Sequence, residues 1–311
     1  MKLFDAEATR AALPFERLVP ALRAMFASGC EVPPRSVHEI GAAVTSLLMP
    51  AWQPGGCYGV KVVNVAPGNA ARGLPALHSV YLLFDANTGA PLAQLDGDEI
   101  TARRTAAASA LAASFLARGD ARRLLVVGAG RVARLLPAAY RAVRAIDSIA
   151  IWSRDASKAR ALAEAWRADG FDARAATDLE AAVRPADIVS CATLASVPLI
   201  HGAWLAPGSH LDLIGGFAPQ MREADDACFA GARIYVDGEE ALQKSGDLLG
   251  PLSRGVFAPG DVRGTLAALC RGTAAGRASS GERTVFKSVG TALEDLAAAM
   301  LVAESAGVLG T

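Results

Sequence analysis

Leu124-Leu125-Val126-Val127-Gly128-Ala129-Gly130-Arg131-Val132-Ala133-Arg134-Leu135-Leu136 places the pattern G-x-G-x-x-A between an apolar run and a helical one. Gly128 permits a tight turn, Gly130 lets backbone approach a pyrophosphate, and Ala133 allows a helix to pack closely on the strand. The helix N-terminus then presents free N–H groups and positive dipole to phosphates. By itself the pattern also fits a Gly-rich turn in an unrelated parallel sheet. The strand before it, the helix after it, and a second strand, SIAIW (148–152), at the right distance favour a Rossmann dinucleotide site.

The end of that second strand bears on which dinucleotide binds. An NAD site commonly carries Asp or Glu there for the ribose 2′-hydroxyl. This chain reads Trp152-Ser153-Arg154-Asp155, with Lys158 following. Ser153 can donate to a phosphate and Arg154 can clamp one, which favours NADPH, with NADH as the alternative; a solvated surface arginine is the plainer reading of Arg154. Asp155 reads as a helix cap.

Downstream, DIVSCAT (187–193), HLDLIGG (210–216) and ARIYVDG (232–238) continue as strands. The helical stretches RVARLLPAAYRAVR (131–144) and SKARALAEAWRAD (157–169) separate the first of the strands, and crossovers of that kind imply a parallel sheet. Upstream, Phe15, Leu18, Val19, Leu22, Met25 and Phe26 recur at helical spacing between Pro14 and Gly29. VTSLLMPAW (44–52), YGVKVVNV (58–65), HSVYLLFD (78–85) and PLAQLD (91–96) then read as an antiparallel or mixed sheet. Asp96 with Glu99 resembles a capping box for a long helix through Arg118. The closing helix TALEDLAAAMLVAESAG (291–307) can return to the first domain. The expected fold class is α/β: a doubly wound parallel sheet, residues 119–290, inserted in a smaller α+β domain of residues 1–118 plus 291–311.

With 311 residues, two domains are expected. Hydrophobic residues at 52% and charged residues at 20% exclude disorder. The 31 basic and 31 acidic residues cancel with no like-charge block, which argues against a nucleic-acid groove or polybasic membrane patch. Cys30, Cys57, Cys191, Cys228 and Cys270 are scattered, without metal spacing, and read as free thiols in a reducing compartment. No signal peptide or membrane span is read, so a cytoplasmic location is expected. No metal site is expected, and His38, His78, His201 and His210 form no triad spacing.

Two cations stand out in the first domain. Lys61 alternates with Val60 and Val62 and faces opposite to them; alone, it reads as a solvated strand residue. Arg104 shares a helical stripe with Ile100, Ala108, Leu111 and Phe115, where an apolar side chain is expected. A buried guanidinium requires an anion, either an internal Asp or Glu or a substrate carboxylate. Arg35, after Pro33-Pro34, carries little signal of its own.

LLMPAW (47–52), YGVKVVN (58–64), LDGDEITARRTAAASALAA (95–113), VVGAGRVA (126–133), IWSRD (151–155), IVSCATLASVPLI (188–200), the GG-x-x-P-x-x-RE run from Gly215 to Glu223, VDGEEALQKSGDL (236–248) and TVFKSVGTALED (284–295) together resemble the ornithine cyclodeaminase/μ-crystallin family. They span nearly the whole chain in order. The resemblance implies a Rossmann domain inserted between an N-terminal substrate domain and a returning C-terminal helix, usually as a homodimer. It further implies that Arg35, Lys61 and Arg104 gather around a substrate carboxylate, with Lys61 near the reacting carbon–nitrogen bond. Dinucleotide contacts are expected at Gly128, Ala129, Gly130, Arg131, Val132, Ser153, Arg154, Thr193 and Ser288.

The family includes cyclodeaminases, alanine dehydrogenases and cyclic imine reductases. Cyclodeaminases and their alanine dehydrogenase relatives carry Asp where this chain has Phe217, and a phenyl ring cannot serve as acid or base. Together with Arg154, this points to the μ-crystallin branch. The expected activity is reduction of Δ1-pyrroline-2-carboxylate, and also Δ1-piperideine-2-carboxylate, to proline and pipecolate, with Phe217 walling the ring methylenes. A cyclodeaminase, an alanine dehydrogenase and a non-catalytic NADPH-dependent binding protein are the alternatives.

Overall fold

The structure is a computed structural model that describes residues 1–41 and 43–309. In chain order its strands and helices are β1 (Lys2–Phe4), α1 (Ala6–Ala11), α2 (Phe15–Ser28), β2 (Ser36–Gly41), β3 (Val44–Trp52), β4 (Cys57–Val65), β5 (Leu77–Asp85), β6 (Pro91–Asp96) and α3 (Gly97–Leu116). Then come β7 (Arg123–Val127), α4 (Arg131–Arg141), β8 (Ser148–Trp152), α5 (Ala156–Ala168), β9 (Ala173–Ala175), α6 (Leu179–Val183), β10 (Ile188–Cys191) and β11 (His210–Leu213). The chain closes with β12 (Arg233–Val236), α7 (Ala241–Lys244), α8 (Gly246–Ser253), β13 (Val262–Thr265), α9 (Leu266–Arg271), β14 (Thr284–Lys287) and α10 (Ala292–Ser305). The backbone packs as two compact units, Met1–Thr105 with Thr291–Thr311, and Ala106–Gly290. The division falls inside α3, whereas the sequence places it after residue 118.

In the first unit, β2 to β6 form an antiparallel meander and β1 adds parallel to β6, giving the order β1-β6-β5-β4-β3-β2. Helix α2 begins after Pro14 and ends at Gly29, whose φ of 80° only glycine adopts readily. Helix α10 packs on α2 and on β3 to β5. Eleven of its 14 residues are buried, so it is a core helix without a solvent face. The capping box at α3 forms only by half. Asp96 Oδ1 accepts from the Glu99 N–H at 2.8 Å, but the Glu99 carboxylate turns to Arg10 instead.

The second unit holds an all-parallel sheet in the order β13-β12-β14-β11-β10-β7-β8-β9. Strands β10, β11 and β14 are buried along their whole length, as strands covered on both faces must be. Chain order reverses between β7 and β10, which opens a ligand crevice at the carboxyl ends of those strands. The fold is therefore α/β with a Rossmann sheet. No helix among the described residues is long and apolar enough to cross a membrane.

Candidate active site

At the switch point the glycine loop is built for close approach. Gly128 has φ +114°, and a Cβ there would stand 2.4 Å from the Ala192 carbonyl oxygen. Gly130 faces open space instead, and a Cβ on it would meet nothing within 4 Å. It starts α4 with no side-chain cap, so the first N–H groups of that helix stay available to an anion. Ala133 is fully buried, consistent with close helix–strand packing. Gly128, Ala129, Gly130, Ser153, Arg154 and Thr193 line one groove, and Ala129, Gly130, Arg131, Arg134 and Lys158 line a second. These residues fit a dinucleotide: an anion seat at α4 and cations at the end of β8. Val132 sits half-buried in the first turn of α4.

Asp155 is a cap, accepting from the Ser157 N–H at 3.0 Å and the Lys158 N–H at 3.3 Å. Arg154 is exposed beside it, and the Ser153 hydroxyl accepts from the Asp155 N–H at 3.3 Å. Thr193 lines the groove, but its hydroxyl donates to Glu223 Oε1 at 2.8 Å. Ser288 is buried, and its N–H donates to the Leu213 carbonyl at 3.2 Å.

A buried ionic framework lies behind this edge. Glu223 Oε1 also accepts from the Thr193 N–H at 2.8 Å, while Oε2 accepts from the Gly215 N–H at 2.7 Å. One carboxylate thus ties the loop after β10 to the loop after β11. Burial pushes its pKa up to about 7, with Lys287 pulling the other way. Asp247 Oδ1 takes the Glu223 and Ala224 N–H groups at 2.7 and 3.1 Å, and Asp247 Oδ2 lies 3.2 Å from Lys287 Nζ. A side chain at Gly216 would stand 2.3 Å from that Oδ2 atom, so the turn leading to Phe217 must be glycine here. Phe217 itself is 55% exposed, a large apolar ring set out on a turn held from beneath. Sequence reasoning singled out none of Glu223, Asp247 and Lys287 individually. The available signal was a lysine closing the strand TVFK, where a parallel strand has no solvent face.

In the first unit, Lys61 is not a solvated strand residue. Side chains on β4 alternate, and the buried set is Cys57, Gly59, Lys61 and Val63, because α10 covers that face; Val60 and Val62 are half-exposed. Lys61 is 1% exposed. Its ammonium lies 2.7 Å from Asp295 Oδ2 and donates to Thr101 Oγ1 at 3.1 Å. Burial lowers its pKa to about 8 and Asp295 pulls it back up.

Arg104 is also buried, and its partners are internal acids. Nε donates to Asp295 Oδ1 at 2.9 Å and Nη1 to Glu294 Oε2 at 2.6 Å. Burial alone would lower the Arg104 pKa, but the two acids outweigh it and hold the guanidinium charged. Asp295 is the hinge of the array, and burial opposes its charge while Lys61 and Arg104 stabilise it. The adjacent acids inside TALEDLAAAMLVA were the signal, since two carboxylates on a buried helix demand cations. Arg35 lies half-buried just before β2. Ser36 pairs with Leu48 and Met49 with Lys61, so continuing the register puts Arg35 on the row of Lys61, two strands or about 10 Å away.

The family model of the ornithine cyclodeaminase/mu-crystallin family matches residues 10–308. The Δ1-pyrroline-2-carboxylate reductase of Paracoccus denitrificans is 45% identical over 261 residues, 83% of either chain. The solved Thermococcus litoralis Δ1-pyrroline-2-carboxylate reductase, in complex with NADH and L-proline, is 32% identical with a TM-score of 0.93, covering 98% of this chain and 97% of that one. An archaeal alanine dehydrogenase dimer with bound NAD is 29% identical with a TM-score of 0.92, covering 98% and 96%. With this match along almost its entire length, the chain belongs to the ornithine cyclodeaminase/mu-crystallin family.

Proposed function

We propose that this chain reduces cyclic ketimine carboxylates, Δ1-pyrroline-2-carboxylate to proline and Δ1-piperideine-2-carboxylate to pipecolate, with a reduced nicotinamide dinucleotide. The observation that carries the reading is the buried array Lys61–Asp295–Arg104, which brings two cations onto one aspartate inside the first unit. When bound, the dinucleotide supplies the hydride. Arg104 and Arg35 hold the substrate carboxylate, and Lys61 carries the proton that the ring nitrogen needs. Nε and Nη1 of Arg104 are taken by Asp295 and Glu294, so its other donors serve the carboxylate. Phe217 offers its ring to the methylenes, and it supports reduction over deamination because it has no proton to move.

NADPH is the proposed preference. Asp155 spends its carboxylate on capping α5, while Arg154, Lys158, Arg131 and Arg134 line the grooves at and beside the end of β8. Gly128, Ala129, Gly130, Arg131, Val132, Ser153, Thr193 and Ser288 complete the proposed dinucleotide site. The chain is also proposed to act as a homodimer in the cytoplasm. The archaeal dimer supports pairing, as does β2, an edge strand exposed at every position that includes the apolar Val37 and Ile40.

The test is steady-state oxidation of NADPH and NADH with each cyclic imine, beside release of ammonia from ornithine. Imine reduction without ammonia release is expected. Lys61→Ala and Arg104→Ala should each lower kcat/KM by about a hundredfold, the size of a lost charged contact of about 3 kcal/mol. Ammonia and proline from ornithine, with no imine reduced, would overturn the proposal.

A further inference from the structure

We propose that Asp295 is the positioning residue of the reduction: with Thr101 it orders the Lys61 ammonium so that its remaining N–H is the proton delivered to the imine nitrogen. This rests on the proposed function and names the proton donor within it. An ammonium has three donors and no acceptor. Asp295 Oδ2 lies 2.7 Å from Lys61 Nζ as an ion pair and Thr101 Oγ1 takes an N–H at 3.1 Å, so these two partners engage at most two of the three N–H groups. Asp295 is itself fixed, because its other oxygen accepts from Arg104 Nε at 2.9 Å. A lysine stem has four rotatable bonds, and two such contacts remove most of that freedom.

In the reduction, the N–H bond of Lys61 breaks as a new N–H bond forms on the ring nitrogen. Hydride from the reduced nicotinamide adds to C2, and the electron pair of the C=N π bond ends on nitrogen. The carbon–nitrogen bond is reduced, the nicotinamide is oxidised, and Lys61, left as a neutral amine, regains its proton from solvent. The charged groups around Lys61 are Asp295 and Glu294 on α10 and Arg104 on α3, and Tyr81 on β5 stands directly across the strand pair. Burial and Arg104 weaken the hold on the proton while Asp295 strengthens it, so a pKa of about 8 suits a donor at neutral pH.

The experiment compares the wild-type chain with Asp295→Asn, Asp295→Glu and Thr101→Val. It reads kcat and KM for Δ1-pyrroline-2-carboxylate against pH, and the titration of Lys61 by NMR in the protein without dinucleotide. Wild-type kcat should fall as pH rises through about 8. In Asp295→Asn that limb and the Lys61 titration should both move to lower pH by about one unit or more, the shift typical of losing an opposite charge. Its kcat should drop about tenfold with KM changed less, and Asp295→Glu should restore much of the limb. Titration of the imine itself is common to every variant and cannot produce the shift. If Asp295→Asn does not fold, Thr101→Val is decisive, and an unchanged kcat in it overturns the inference. A folded Asp295→Asn chain with limb and Lys61 titration unmoved also overturns it. A wild-type chain inert toward the imine sinks the proposed function instead, while the Lys61 titration still reports whether Asp295 holds the lysine.

Discussion

Lys61 and Arg104 show how two cations survive in a core. Each sits where burial opposes charge, and each is stabilised by a carboxylate that α10 delivers in the same two residues, Glu294 and Asp295. Removing one member leaves an uncompensated buried charge, which costs more than the pair contributes. The cofactor end of the site works by exposed charge instead. With Asp155 engaged as a cap, Arg154 is the side chain placed to clamp a ribose phosphate. Arg154→Ala should lower the NADPH-to-NADH ratio of kcat/KM by about tenfold or more, the loss of one charge-assisted contact of about 1.5–3 kcal/mol. A ratio that does not move would assign selectivity elsewhere. At this scale the sequence showed the charge types well. It showed burial poorly, because Lys61 could be recognised as internal only once α10 lay over that face of β4.

Among elements, α10 and β11 carry the least obvious work. Strand β11 places Asp212 in the middle of the parallel sheet, where Ser109 of α3 donates at 3.1 Å, Tyr140 of α4 at 2.9 Å, and Ser190 of β10 also donates. Three buried hydroxyls therefore depend on one carboxylate. Asp212→Ala should destabilise the fold by about 3 kcal/mol or more, since each orphaned group costs about 1–3 kcal/mol. A urea midpoint equal to wild type would contradict the node. Burial pushes the Asp212 carboxyl up to about 6 from 3.8. Folding therefore takes up a proton between those values, and the associated stability is present below pH 3.8 and lost as pH rises through about 6. Asp212→Asn should flatten that stretch of the stability–pH curve. Strands with alternating or continuous apolar residues were legible, as were the five longest helices, α2, α3, α4, α5 and α10, whereas the short helices α1, α6, α7, α8 and α9 were not. Strands β2, β9, β13 and β14 were not, because they are short or, like β2, carry no buried face to impose a period.

For the whole molecule, assembly has a direct test. Strand β2 ends the first unit's sheet with its six residues exposed, and its free backbone edge with Val37 and Ile40 is a surface that a second copy would satisfy. The wild-type chain should sediment as a dimer, and the double variant Val37→Lys with Ile40→Lys as a folded monomer. A persistent dimer would place the interface elsewhere. The glycine loop, the strand–helix alternation after it and the arginine at the end of β8 were determined by sequence alone. Each depends on neighbours within a few residues: a turn that only glycine makes, a period of two or 3.6, a cap formed in place. What only the tertiary structure decided were the partners of charge. Asp295 lies far along the chain from Lys61 and Arg104, and Glu223 ties together two loops that follow different strands. Buried charges are paired by whatever the fold brings within about 3 Å, and no local pattern in the sequence records that distance.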